Sequence, residues 1–218
     1  MDNLRIYAVD VGSIKAGNFG WARGQSQGGI DKEDSRIDML ANFLYDDLSS
    51  GLPVALGFEA PLFVPIREEP GKLTLSRDVD PGGRPWSARA GGLSLGVATV
   101  QMPWLMRALF ARLSHPFPCF FNWHEFIAAG TGLFIWEAVV TGKAKDKKID
   151  KDEAHLRDAS KALEAFKDAL PDPTKDRILE TGPILNLAGC ALIWSGLSTQ
   201  QHLMHQPCLV IEAQPDNE

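Results

Sequence analysis

Apolar positions along this chain fall into two rhythms, short continuous runs and longer stretches that repeat at helical spacing. "LRIYAVDVG" (residues 4–12) is a run of the first kind and predicts a buried strand ending in Asp10 and Gly12. "GNFGWARG" (17–24) follows a short turn and reads as its hairpin partner. Over 34–51, Ile37, Leu40, Phe43 and Leu44 lie at helical spacing, with Asp34 or Ser35 as the cap and Gly51 as the stop. "PVALGFEA" (53–60) predicts the next strand, and Glu59 stands at its end. The rhythm then fails over 65–92, a stretch rich in Pro, Gly and charge that predicts a loop insertion at about 65–95. It resumes at 97–114, where Val100, Trp104, Leu105 and Leu109 share one side of a helix that Pro103 either starts or kinks.

"GLFIWEAVV" (132–140) is a third buried run and again holds an acid, Glu137. Residues 150–173 form an amphipathic helix that ends before Pro171. "PILNLAGCALIWSGL" (183–197) is apolar nearly all round and reads as a buried helix with Pro183 in its first turn. "QPCLVIEA" (206–213) closes the pattern as a last strand, before a loose tail, "QPDNE". Strands separated by helices predict a single α/β layer domain over 1–218 with part of its sheet parallel. Ligands of such sheets bind beyond the carboxyl ends of the strands.

Composition adds limits. The chain is 44% hydrophobic and 23% charged, enough apolar matter for an ordinary core. Its formal net charge of −6 argues against holding nucleic acid by bulk field, though not against a basic rim around an acidic site. Three cysteines, Cys119, Cys190 and Cys208, are too few and too scattered for a disulfide framework or a thiolate zinc site. The first residues lack the pattern of a signal peptide, and no run reaches the roughly 20 apolar residues of a membrane span. The expectation is a cytoplasmic protein with no membrane partner.

Asp10, Glu59 and Glu137 share one trait: each ends, or nearly ends, an apolar strand. In parallel strands they would meet at one edge of the sheet. Crowded carboxylates raise each other's pKa, and a divalent cation removes the conflict. Magnesium and manganese take oxygen ligands, and paired ions assist in-line displacement at phosphorus.

These residues also carry a resemblance. "YAVDVGS…GNFGWARG", "GFEAPL", "RPWSARAGG" and "IWEA" together resemble the predicted nucleases of the ribonuclease H-like superfamily, and in particular a widespread bacterial group within it. The resemblance implies a mixed five-stranded sheet flanked by helices, with acids at the sheet edge binding Mg²⁺ or Mn²⁺. It implies a nuclease or phosphodiesterase that hydrolyses nucleic acid, with Asp10, Glu59 and Glu137 as catalytic metal ligands. A further acid is expected from a late helix, and two positions compete for it. Asp158, in "RDASKA", falls about 100° from the centre of its helix's apolar stripe. Asn186, in "LNLAGCAL", would be a ligand without charge and would favour a catalytically degenerate binding or scaffold protein.

Arg84, Ser87 and Arg89, beside Trp86, suit substrate phosphate and a stacked base if their loop folds over the acidic edge. His124 and Glu125 make half of an HExxH motif, but residue 128 is alanine, which excludes that zinc chemistry. His155 lies close to its helix's apolar stripe and reads as a packed core residue.

Overall fold

An antiparallel meander begins the fold. In the computed structural model, which describes residues 3–83, 85–88, 90–140, 151–175 and 177–213, strand β1 (Arg5–Asp10) pairs with β2 (Gly20–Gln25), and β2 with β3 (Ile30–Asp34). Helix α1 (Ile37–Ser49) then carries the chain over to β4 (Pro53–Phe58), which lies parallel to β1. Short β5 (Phe63–Pro65) leads into the insertion, and α2 (Ala90–Leu113) leads out of it. After β6 (Cys119–Phe120) and α3 (Trp123–Ala129) comes β7 (Gly132–Val140), parallel to β4. Helix α4 (Lys151–Asp168), β8 (Ile184–Asn186), α5 (Leu187–Ser195) and β9 (Val210–Ala213) complete the chain.

The result is a mixed seven-stranded sheet, two strands larger than expected, in the order β3-β2-β1-β4-β7, with β7 bordered by both β6 and β9. β6 pairs with the first half of β7 and β9 with the second, so one long strand carries two short neighbours. β5 and β8 form a separate antiparallel pair. The two faces of the sheet bury different helices. Val9, Leu56, Phe58, Leu133 and Ile135 point toward α1, α2 and α5, whose Leu44, Leu105 and Leu192 join the same apolar cluster. Ile6, Ala8, Ala55, Phe134 and Trp136 point the other way, toward α3 and Ala159, Leu163 and Phe166 of α4. No helix among the described residues is long and apolar enough to cross a membrane.

Some elements depart from the sequence pattern. α2 starts at Ala90 and runs through Pro103, and of the four residues expected on one side, Leu105 and Leu109 are buried whereas Val100 and Trp104 face outward, because the buried face is set by Ala98, Met102 and Met106. The stretch 183–197 is a short strand and then a helix, because Asn186 caps α5 instead of riding inside it. "NWHEF" is a helix start: the Asn122 side chain accepts from the backbone N–H groups of His124 and Glu125.

Candidate metal centre

Asp10 closes β1, and Glu59 is the first residue past β4. The register pairs Val9 with Phe58, and the Glu59 N–H donates to the Val9 carbonyl at 2.7 Å. One step further along the same pair sets Asp10 beside Glu59. Side chains alternate along a strand, so both acids continue the row of Ala8 and Ala55 on the α4 face. From α4, Asp158 descends onto them. One carboxylate oxygen from each of Asp10, Glu59 and Asp158 lies within 4.8 Å of the others.

A glycine makes this approach possible. Gly20 stands opposite Asp10 on β2. A Cβ there would come within 2.6–2.8 Å of backbone atoms of His155 and Leu156, closer than real Cβ contacts allow. Without it, α4 settles directly on the sheet, and His155 reaches the site as well. Its Nδ1 lies 2.5 Å from Asp10 Oδ2. His155 is therefore only partly buried and engaged with the cluster, which corrects its reading as a packed core residue. Its place three residues before Asp158, on one side of a helix, is the signal that would have found it.

Glu137 does not join the cluster, although β7 is parallel to β4 as expected. The register pairs Glu137 with Phe58, not with Glu59. That offset of one residue turns its side chain to the opposite face of the sheet. There it forms a bidentate ion pair with Arg77, at 2.6 and 2.8 Å, and accepts from the Leu62 N–H at 2.9 Å. Arg77 also binds Asp80 at 2.7 Å and lies over the Phe63 ring. Burial opposes the guanidinium's charge, but the two carboxylates outweigh it and hold the Arg77 pKa above its usual range. Glu137 is thus the anchor of the insertion, not a ligand beside Asp10.

Asn186 is likewise removed as a fourth ligand. Its Oδ1 accepts from the Gly189 N–H at 2.8 Å, and its Nδ2 donates to the Gln206 carbonyl at 2.7 Å and to Cys208 Sγ at 3.3 Å. The amide thus caps α5 with its oxygen and ties that helix start to the segment before β9 with its nitrogen. Ser87 donates to the Thr74 carbonyl at 3.0 Å, within the insertion. Its neighbour Trp86 is tied through Asp80 to the Arg77–Glu137 pair, on the face away from α4. Arg84 and Arg89 lie outside the described residues.

The three-acid set fits a hard divalent cation. One oxygen of each acid is near enough to the others for the group to hold a single ion, and hard cations such as Mg²⁺ take oxygen ligands. All donors are oxygens, and Asp10 and Asp158 are buried. Comparison with known proteins gives no parallel. No protein-family model, curated protein or solved structure matches the chain.

Proposed function

We propose that this protein is a metal-dependent phosphodiesterase of ribonuclease H-like fold that hydrolyses nucleic acid. The observation that carries the proposal is the convergence of Asp10, Glu59 and Asp158 at the carboxyl edge of parallel strands. The mixed sheet and its opening antiparallel meander support the fold assignment. Asp10, Glu59 and Asp158 would hold Mg²⁺ or Mn²⁺, with Glu137 withdrawn from the set. Such an ion supplies a Lewis acid and an activated water for in-line attack on phosphorus.

The chain's own groups set the frame. Glu59 and Asp10 sit at the ends of rigid neighbouring strands. His155 holds one oxygen of Asp10 and so fixes that carboxylate beside the cluster. Asp158 closes the site from α4. A degenerate scaffold is favoured by the acidic net charge and by Asn186 in the place of the late-helix acid. The second of these supports falls away, because the late-helix acid in the cluster is Asp158.

Cleavage of single-stranded RNA, DNA and RNA–DNA hybrid in the presence of Mn²⁺ tests the proposal. Activity on one of them is expected, with Asp10→Asn, Glu59→Gln and Asp158→Asn each lowering it by roughly 100-fold or more while the fold persists. Activity indifferent to all three substitutions would sink it.

A further inference from the structure

From Ala90 to Met106, α2 carries no charged residue, and its buried side chains are apolar with one exception. That exception is Gln101, 8% exposed. Its Nε2 donates to the Gly12 carbonyl at 2.6 Å, across 89 residues of sequence and two residues beyond Asp10. Its Oε1 is buried and makes no hydrogen bond. A buried amide with a bare acceptor destabilises a fold relative to an apolar side chain of the same shape. Gln101 therefore stands where a methionine would serve α2 better, and the benefit of the amide must lie at its partner.

That partner is a tight turn. A Cβ on Gly12 would fall 1.5 Å from the Asn18 carbonyl oxygen, and the Asn18 N–H donates to the Ser13 carbonyl at 2.9 Å. The turn closes on itself directly after the Asp10 carboxylate, and Gln101 pins it from the α2 side. We propose that Gln101 is a positioning residue: it fixes the turn after β1 and so the aim of Asp10 toward Glu59 and Asp158. This rests on the reading of that cluster as a cation site.

Gln101→Met separates the proposal from a merely structural role. Three quantities are measured: the melting temperature, amide hydrogen exchange over residues 12–18, and Mn²⁺ affinity from the resonance of free Mn²⁺. We expect an unchanged or higher melting temperature, faster exchange in the turn, and Mn²⁺ affinity lower by about tenfold, as for other groups that orient a ligand. Met106→Ala, deeper in the same helix, should lower the melting temperature and leave the affinity alone. Unchanged exchange in Gln101→Met, or a loosened turn with undiminished Mn²⁺ affinity, overturns the proposal while the cation site stands. A wild-type protein that binds no Mn²⁺ overturns both.

Discussion

Phe58 and Glu59 are neighbours on one chain, yet their side chains lie on opposite faces of the sheet, and this single step of alternation decides which acids meet. Glu137 pairs with Phe58 and so faces α2 and α5, where Arg77 neutralises it. Burial has other consequences at the same scale. It pushes the Cys119 thiol up to about 12, whereas an unfolded thiol titrates near ~8.5. The folded chain thus favours the neutral thiol. Its contribution to stability is complete below about pH 8.5 and is lost as the pH rises toward the folded value. Melting temperature should therefore fall more steeply above pH 8.5 in the wild type than in Cys119→Ala, and equal slopes would contradict the assignment. The acids themselves were legible in sequence because each interrupts an apolar run. Their faces were not. Strands such as "VALGF" and "FIW" are apolar on both sides, so alternation leaves no polar mark by which to tell one face from the other. Arg77 was hidden for a different reason: it lies in an aperiodic insertion, where neither spacing nor pattern predicts a partner 60 residues away.

Among the elements, α4 determines whether the site exists, since it brings both Asp158 and His155 to strands formed far earlier in the chain. Its apolar stripe of Ala159, Ala162, Leu163 and Phe166 was plain in the sequence and fixes the face it buries. How closely it docks was not plain, because that depends on the missing side chain at Gly20, in a stretch that reads only as a hairpin strand. Gly20→Ala would press a methyl group against the backbone of His155 and Leu156. We expect a loss of about 1–3 kcal/mol in stability from the forced shift. Mn²⁺ affinity should fall with it, because the helix would carry Asp158 away from Asp10. Retained affinity in a measurably destabilised Gly20→Ala protein would show that α4 docking and the site are independent. The same contrast explains α2 and α5. Glycines 91, 92 and 96 obscure the start of α2, because their weak helix propensity hides the element and the first residue it buries is Ala98. The polar cap Asn186 is hard to tell from a helix-interior residue in the sequence because the run around it is so uniformly apolar.

Across the whole molecule, the sheet separates two kinds of buried charge. On the α2 and α5 side, Arg77 compensates Glu137 and Asp80 and straps the insertion to the core. On the α4 side, three carboxylates crowd together with His155 at their edge, an arrangement suited to a cation. The formal net charge of −6 gives the molecule no bulk attraction for nucleic acid. The proposed division gives Asp10, Glu59 and Asp158 to a cation and Glu137 to the strap. A Mn²⁺ titration, followed by the resonance of the free ion, on Glu59→Gln and Glu137→Gln tests it most directly. Glu137→Gln should bind Mn²⁺ as the wild type does while melting earlier, having lost about 2 kcal/mol of charge-assisted hydrogen bonding. Glu59→Gln should keep its melting temperature and lose Mn²⁺ affinity by at least about tenfold. Equal affinity in the wild type and Glu59→Gln, or a loss in Glu137→Gln as large as that in Glu59→Gln, would overturn this division of the acids.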